Sequence, residues 1–262
     1  MPEAAYTPAE IMTIAAARKL KNGTVCFVGI GLPSAAANLA RITHAPELVL
    51  IYESGTIGAK PDVLPLSIGD GELAETADAV VSVPEIFRYW LQGGRVDIGF
   101  LGAAQIDKFG NINTTVIGPY EKPRVRLPGA GGAPEIATAA KEVAIILKQS
   151  KRAFVETLDF VTSSGYYSGA ASNGRPGPSG RGPTTVITDL GVMRSDAATR
   201  ELVLTAVHPG ITVEQVKDAT GWELKVAPQF ETTSLPNERE LSALRDLHAR
   251  TAAAHGNAAV AE

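Results

Sequence analysis

The sequence contains a single cysteine, Cys26, so no disulfide can form within the chain. Cys26 lies in the apolar run TVCFVGIG, a setting typical of a reduced core residue and of the cytoplasm. No apolar segment reaches the roughly 18 residues that a membrane-spanning helix needs. The first residues, MPEAAYTPAE, are more acidic and polar than a secretory signal peptide. We therefore expect a cytoplasmic protein that does not bind membranes.

Positive charge is also in short supply. The chain has 24 Lys and Arg against 28 Asp and Glu, for a net charge of -4. This balance argues against nucleic acid as a partner. Hydrophobic residues make up 45% of the 262 residues, which is ordinary for a globular protein and enough for a full core.

Nucleotide-binding loops are absent as well. The stretch GIGLPSAA (29–36) follows an apolar run and opens a helical pattern, but Ser34 stands where G-x-G-x-x-G requires its third glycine. The sequence also lacks G-x-x-x-x-G-K-[ST]. A dinucleotide site is therefore not expected.

The elements that are present alternate between helix and strand. Thr7 and Glu10 are spaced to form a capping box at the start of the first helix, and Pro8 suits its first position. A strand (24–31), a helix (33–44) and a second strand (47–55) follow, and both strands are continuous apolar runs, which favours a parallel sheet. Later segments continue the alternation. We predict strands at 77–83 and 143–149, a strand running into a loop at 96–107, another extended run at 152–163, helices at 84–94, 134–142 and 212–222, paired C-terminal strands, and a last helix to about 254. We predict one α/β domain over 1–262, an open and mostly parallel sheet with helices on both faces, and fraying from about 255.

One carboxylate stands in an unusual place. In LIYESGTIGAKP (50–61) an apolar run ends at Glu53, and Ser54 and Gly55 follow directly. Ligands of open parallel sheets bind beyond the carboxyl ends of the strands, and small neighbours leave room for a substrate there. From the local pattern alone, Glu53 is either a functional carboxylate or the first exposed residue of a loop.

Two Gly-rich stretches allow two interpretations each. In GAGGAPEIA (129–137) a glycine turn leads into a helix, so its free N–H groups either face an anion or belong to a tight loop. The stretch 163–183 is rich in Gly, Ser and Pro. It is either an active-site or interface loop, or simply mobile.

An ordered set of motifs gives these features a common context. YESGTIG, GFLGAAQIDKFGNINTTVIG, RLPGAGGAPEIATAAKEVAIIL, RAFVETLDFVTSSGY, VITDLGVM and HPGITVEQVKDATGW follow one another along the chain. In this order they resemble the β subunit of class I CoA transferases, most of all the glutaconate CoA-transferase branch. The resemblance runs from about Pro8 to Trp222.

The resemblance implies a chemistry for Glu53. In this family the matching glutamate attacks an acyl-CoA and then carries CoA as a glutamyl thioester. No metal, nucleotide or redox cofactor is implied, and coenzyme A is a substrate rather than a bound cofactor. The resemblance also implies that CoA or acyl groups contact Ser54, Gly55 and the N–H groups of Gly131, Gly132 and Ala133. Gln105 either orients an acyl or carboxylate group or pins its own loop.

The resemblance further implies a partner. The α subunit of the family carries a G-x-G-G-F oxyanion motif, whereas the nearest match here, Gly129 to Ala133, ends in Ala and follows the β pattern. We therefore expect half of a heterotetramer or larger heteromer that acts on acyl-CoA and a carboxylic acid, with a dicarboxylate such as glutaconate or 3-oxoadipate on one side. Some relatives lost the glutamate and became CoA-ester hydrolases or carbon–carbon lyases. These activities, and a non-catalytic subunit, are the alternative interpretations.

Acyl specificity has one candidate feature. Arg124 and Arg126, in EKPRVRLPG, have the chemistry to pair with a distal carboxylate. They can equally bind CoA phosphates or remain solvated loop charges.

Overall fold

The computed structural model describes residues 6–166 and 182–255. Its α-helices are α1 (Pro8–Ala17), α2 (Leu32–Thr43), α3 (Gly71–Glu75), α4 (Val83–Glu85), α5 (Ala133–Ala139), α6 (Val213–Asp218) and α7 (Glu238–His255). A π-helix, Ile86–Leu91, continues directly from α4. The strands are β1 (Val25–Val28), β2 (Val49–Ile51), β3 (Thr56–Ile57), β4 (Ala79–Val80), β5 (Ile98–Leu101), β6 (Gln105–Ile106), β7 (Ile112–Asn113), β8 (Val116–Ile117), β9 (Val125–Arg126), β10 (Glu142–Ile146), β11 (Pro183–Ile187), β12 (Gly191–Ser195), β13 (Leu202–Val207) and β14 (Lys225–Thr232).

The chain divides into two compact units, and the first comprises residues 1–100 and 235–262. Its strands lie in the order β5-β1-β2-β3-β4. Strand β1 is parallel to both β2 and β5, whereas β2, β3 and β4 pair in antiparallel fashion. Because β1, β2 and β5 run in the same direction, their carboxyl ends lie at one edge of the sheet, where α/β proteins place their ligands.

Helix α2 is buried along most of its length, from Pro33 to Ala40. Its small side chains let it pack closely, and it contacts both α1 and α7. Helix α7 is fastened by the Arg18 guanidinium, whose Nε and Nη2 lie 2.7 Å from the two carboxylate oxygens of Glu240. The Arg18–Glu240 ion pair and the buried helix faces therefore both hold the C-terminal helix in the first unit.

The second unit, residues 101–234, contains its own sheet strands. Their order is β14-β13-β12-β11-β10. Strands β10 and β11 are parallel, β11, β12 and β13 are antiparallel, and β13 and β14 are parallel. Two small antiparallel pairs, β6 with β7 and β8 with β9, stand apart from these strands.

Most sequence predictions for the elements agree with these bounds. Thr7 and Thr212 both cap their helices through complete capping boxes. The β-α-β beginning is parallel as predicted, and the paired C-terminal strands are antiparallel. The α/β fold class is therefore confirmed, and the single domain over 1–262 stays a prediction.

The run 152–163, predicted to be extended, forms none of the named strands. The extended run 152–163 contributes only two isolated bridges, from Phe154 to Ile106 and from Ser163 to Ile112. Its apolar side chains instead cover neighbouring segments, as where the Phe154 ring stacks on Trp222 at 5.7 Å. The predicted loop 163–183 lies mostly outside the described residues, as does the end predicted to fray. No helix in the described ranges is both long and apolar enough to cross a membrane.

Glu10 supplies a test of the packing between α1 and α7. It accepts a hydrogen bond from the Thr7 N–H at 2.7 Å, and Arg245 Nε lies 2.6 Å from its Oε1. The Arg245 guanidinium holds the pKa of Glu10 below its usual range. The ionised carboxylate therefore stabilises the fold above the unfolded-state pKa, and this contribution is lost as pH falls through the folded-state pKa.

We predict that Glu10→Gln lowers the free energy of unfolding by about 0.5–1 kcal/mol at neutral pH, since the amide keeps the cap but loses the charge. The difference from the wild type should be smaller at pH 3 than at neutral pH, because the contribution of the ionised carboxylate falls below the unfolded-state pKa and is lost through the lowered folded-state pKa. Urea unfolding at the two pH values measures it, with the exposed Glu156→Gln as control. An equal difference at both pH values would contradict this explanation.

Candidate active site

Glu53 occupies the tip of a tight hairpin directly after the buried strand β2. The Gly55 N–H donates to the Tyr52 carbonyl at 3.0 Å, and the Tyr52 N–H donates to the Thr56 carbonyl at 3.2 Å. Glu53 and Ser54 are thus the two central residues of the turn, and both are half-buried. The predicted position of Glu53, at the carboxyl end of a parallel strand, is confirmed.

The shape of this turn requires Gly55. Its φ is +103°, a region that side chains rarely adopt. A Cβ on Gly55 would also lie 2.0 Å from the Val81 carbonyl oxygen. The backbones of Val81 and Gly55 are also hydrogen-bonded, because the Val81 N–H donates to the Gly55 carbonyl at 2.9 Å. Gly55 therefore acts by shaping the turn, in addition to leaving space beside the carboxylate.

Two hydroxyl groups near Glu53 have no hydrogen-bond partner among the described residues. They are Ser54 Oγ and Thr56 Oγ1, and both atoms are buried, with Thr56 only 2% exposed. A buried hydroxyl without a partner costs about 1–3 kcal/mol. Such groups are uncommon in native structures, and these two lie directly beside the candidate nucleophile.

Gln105 lies in the second unit, where both ends of its amide are bonded. Its Nε2 donates to Asp159 Oδ2 at 2.9 Å, and its Oε1 accepts from Asn113 Nδ2 at 2.7 Å. Asn113 also donates to the Val116 carbonyl at 2.6 Å. These contacts favour the interpretation in which Gln105 pins its loop over the one in which it orients a substrate.

The glycine-rich turn before α5 is also in the second unit. Gly131 is exposed with φ of +49°, and its N–H makes no hydrogen bond in the part of the chain that the structure describes. Gly132 is buried at the N-cap of α5. The Ala133 N–H is already used, because it donates to the Ala130 carbonyl at 3.0 Å. Of the three predicted donors, Gly131 is thus the one most open to a ligand.

Within the second unit, hydrogen bonds connect the group formed by Gln105, Asn113 and Asp159 to the glycine-rich turn before α5. Thr114 follows Asn113, and its carbonyl accepts the Gly129 N–H at 2.8 Å while its Oγ1 donates to the Gly129 carbonyl at 2.7 Å. Sequence reasoning missed Asn113 and Thr114, although both lie in the quoted motif GNINTT. A single Asn or Thr in the sequence carries no periodic signal that would single it out.

The two arginines of the β8–β9 hairpin are exposed. The Arg126 guanidinium lies over the Tyr120 ring, 5.2 Å from its centroid. Tyr120 in turn stacks on Phe160, with ring centroids 5.4 Å apart. Arg126 is therefore partly held by a ring, whereas the Arg124 side chain packs beside Gly118. All three interpretations of these arginines stay open.

Metal chemistry has no obvious site in the described ranges, since they hold no group of three or more His, Cys, Asp or Glu placed to bind an ion. The Cys26 thiol is fully buried, and burial raises its pKa far above the usual range. It is thus a core residue and not a nucleophile. Among the residues named here, the half-buried Glu53 is the best-placed nucleophile.

Comparison with known proteins assigns the chain to a family. The family model for coenzyme A transferase matches residues 9–219. The chain is 66% identical to the B subunit of 3-oxoadipate CoA-transferase from Pseudomonas knackmussii, over 96% of this chain and 97% of that protein. It is 36% identical to the B subunit of glutaconate CoA-transferase from Acidaminococcus fermentans, over 86% of each. The chain belongs to the coenzyme A transferase family, as the sequence motifs predicted.

Solved structures agree with this assignment. The crystal structure of glutaconate coenzyme A-transferase from Acidaminococcus fermentans matches with a TM-score of 0.84 and 33% identity, over 92% of this chain and 94% of that one. The decarboxylase AibA/AibB matches with a TM-score of 0.78 and 30% identity, over 95% and 99%. The fold is therefore shared by a transferase and by a decarboxylase, and the fold alone does not fix the reaction.

The geometry of the turn predicts the effect of Gly55→Ala. The added Cβ meets backbone, which cannot rotate away, so the turn must shift and Glu53 with it. We expect a loss of several kcal/mol in unfolding free energy and a large loss of CoA-transferase activity in the assembled enzyme.

Gly94→Ala is the matched control. Gly94 also has a positive φ, +70°, but a Cβ there would meet nothing within 4 Å. Gly94→Ala should lower the unfolding free energy by only about 1–2 kcal/mol, because the alanine must adopt a left-handed conformation, and it should leave activity intact. Thermal unfolding and turnover of the two variants make the comparison, and equal losses at both positions would refute the role assigned to Val81.

Proposed function

We propose that this chain is the β subunit of a heteromeric CoA transferase that moves CoA from an acyl-CoA to 3-oxoadipate or a closely similar dicarboxylate. The observation that carries the proposal is the position of Glu53, a half-buried carboxylate at the tip of a rigid turn after a buried strand. The choice of acid follows the relative with 66% identity, which is named for 3-oxoadipate.

The first half of the reaction loads CoA onto the enzyme. The Glu53 carboxylate attacks the thioester carbonyl, the carbon–sulfur bond breaks, and an acyl-glutamyl anhydride and CoA thiolate result. The thiolate then attacks the glutamyl carbonyl of the anhydride. The donor acid leaves as a carboxylate, and Glu53 holds CoA as a thioester.

The second half runs the same steps in reverse. The carboxylate of the acceptor attacks the glutamyl thioester, which gives a new anhydride and releases the thiolate. The thiolate attacks the acyl carbonyl, so the acceptor leaves as its CoA ester and Glu53 regains its carboxylate. No proton, metal or redox equivalent is consumed, and coenzyme A is the only cofactor-like molecule required.

Each tetrahedral intermediate needs hydrogen-bond donors for its oxyanion. In the first unit the Ser54 and Thr56 hydroxyls are donors without a partner in the described ranges, and in the second unit the Gly131 N–H is another. We propose that Ser54 and Gly131, each within its own unit, bind acyl or CoA oxygens. Gly55, Gly132 and Ala133 serve in this proposal by shaping the two turns, and Gln105 by holding its loop.

A second type of subunit completes the proposal. Two relatives, at 66% and 36% identity, are named as B subunits of CoA transferases. The chain also lacks the α-type G-x-G-G-F motif. We infer an α subunit that supplies the remaining oxyanion donors and keeps water from the anhydride, which would otherwise hydrolyse. A cytoplasmic location goes with this assignment, in keeping with the reduced Cys26.

The alternative is a hydrolase or carbon–carbon lyase on the same fold, because a decarboxylase shares it. The retained Glu53 favours transfer, since a glutamyl thioester keeps CoA activated for attack by an acceptor carboxylate. Exchange between two acids distinguishes the two activities directly.

The test of the proposal uses the chain co-expressed with an α subunit of this branch. We expect the complex to transfer CoA to 3-oxoadipate faster than to glutaconate, acetate or water, and the isolated chain to be inactive. CoA-ester formation, followed by chromatography with each acceptor, measures this. Release of free CoA without ester formation would contradict the transferase assignment, and full activity of the isolated chain would contradict the heteromer.

Conservative changes at Glu53 test the nucleophile. Glu53→Gln keeps the shape but cannot attack a thioester, so transfer should fall to background. Glu53→Asp withdraws the carboxylate by about 1 Å, and a misplacement of that order costs about 10²-fold in rate. Turnover by the complex and thermal unfolding of each variant are measured together. Near wild-type transfer by Glu53→Gln, with deamidation excluded by mass spectrometry, would overturn the assignment.

A further inference from the structure

Beneath the hairpin that carries Glu53 lies a buried polar network. Its members are Ser34 and Asn38, one turn apart on α2, and Tyr52, and all three are 0% exposed. Ser34 Oγ lies 3.1 Å from the Tyr52 hydroxyl oxygen. Asn38 Nδ2 donates to the Ser34 carbonyl at 3.0 Å and approaches Ser34 Oγ at 3.3 Å and the Tyr52 hydroxyl at 3.4 Å.

A polar network in this position is not needed for packing. The rest of the buried face of α2 is built mostly from alanine and leucine, and an apolar replacement of both partners of a buried hydrogen bond is often neutral for stability. Burial raises the pKa of Tyr52, so its hydroxyl stays protonated at physiological pH. Its hydrogen bonds therefore persist and give Tyr52 one defined position.

The network also reaches the far end of the segment 52–61. Arg41 Nε donates to Asn38 Oδ1 at 3.3 Å, and Arg41 Nη2 donates to the Pro61 carbonyl at 2.7 Å. Helix α2 thus holds the segment 52–61 at both ends through linked side chains. Tyr52 precedes Glu53 directly, so holding its ring restricts the backbone at the start of the turn.

The hairpin also has backbone anchors, because β3 pairs with β4 through Thr56 and Ile57 and the Val81 N–H donates to the Gly55 carbonyl. Strand β3 has two residues and pairs with β2 only between Ile51 and Ile57. A single such pair is weak in isolation. These backbone bonds fix the hairpin within the sheet, whereas the Tyr52 side chain ties the residue directly before Glu53 to α2.

We propose that Ser34, Asn38 and Tyr52 act as a positioning network for Glu53, which holds the carboxylate at the distance and angle needed to attack the thioester. The inference rests on the proposed role of Glu53 as nucleophile. It also accounts for Ser34 in GIGLPSAA: at the place where a dinucleotide-binding loop has its third glycine, this chain has a hydroxyl that bonds to Tyr52. None of the three residues contacts substrate in this proposal.

The experiment compares Tyr52→Phe, Ser34→Ala and the double variant in the assembled heteromer. Single-turnover mixing with acyl-CoA gives the rate constant for forming the glutamyl thioester, and steady-state assays give kcat and KM. We expect each single variant to lower the rate constant about tenfold while KM stays within twofold, because the carboxylate is misplaced but the binding surface is intact.

The double variant should be no slower than the slower single variant, since the two hydroxyls act as one unit and removing both leaves no buried orphan between them. Thr13→Val is the matched control. Thr13 is 2% exposed, and its hydroxyl bonds only within α1, to the Ala9 carbonyl at 2.9 Å. It should lose similar stability and keep the wild-type rate constant.

Three outcomes would overturn the inference. They are an unchanged rate constant in Tyr52→Phe, single losses that multiply in the double variant, or an equal loss in Thr13→Val. In each of these cases thioester formation on Glu53 in the wild type leaves the proposed function standing. If the wild type forms no thioester on Glu53, the proposed function itself fails, and the positioning network fails with it.

Discussion

The structure of the candidate site depends on one backbone constraint, the turn that reverses the chain between β2 and β3. Gly55 makes this turn possible through its positive φ and through the close approach of the Val81 carbonyl, 2.0 Å from where a Cβ would lie. The turn lifts Glu53 out of a buried strand at the edge where three parallel strands end. A carboxylate in the strand itself would have to be buried without a partner, at a cost of several kcal/mol.

Around this turn the chain combines rigidity with unfilled hydrogen-bonding capacity. The segment is held by backbone bonds to Val81 and by the Ser34, Asn38 and Tyr52 side chains. Ser54 Oγ and Thr56 Oγ1 nevertheless stay unpaired within the described ranges. A nucleophile that forms covalent bonds to bulky thioesters needs both properties, because preorganised donors contribute most when they do not have to be rearranged during reaction.

Sequence patterns predicted those features that arise from local interactions. Thr7 and Thr212 signal their helices because a cap needs only residues three positions apart. The buried parallel strands were visible as apolar runs. The two-residue strands β3, β7, β8 and β9 were not, since such short segments have no measurable period. The extended run 152–163 resembled a strand but instead packs against loops.

The candidate site was predictable in part for the same reason. Glu53 is conspicuous because a charge interrupts an apolar run. Asn38 gives no such signal, because an asparagine on an alanine-rich helix has meaning only once Tyr52 is known to lie against it. Gln105 and Ala133 show the converse: the sequence offered them as binding groups, and their own polar atoms already bond within the unit.

The proposed function depends most directly on a covalent bond to Glu53. The decisive measurement is to incubate the co-purified heteromer with acyl-CoA, reduce with borohydride, and identify the altered peptide by mass spectrometry. We predict that the carboxylate of Glu53, and of no other residue in this chain, is converted to the alcohol, because a thioester is activated enough to be reduced and a free carboxylate is not. Reduction at a different carboxylate, with Glu53 unmodified, would contradict the proposed mechanism.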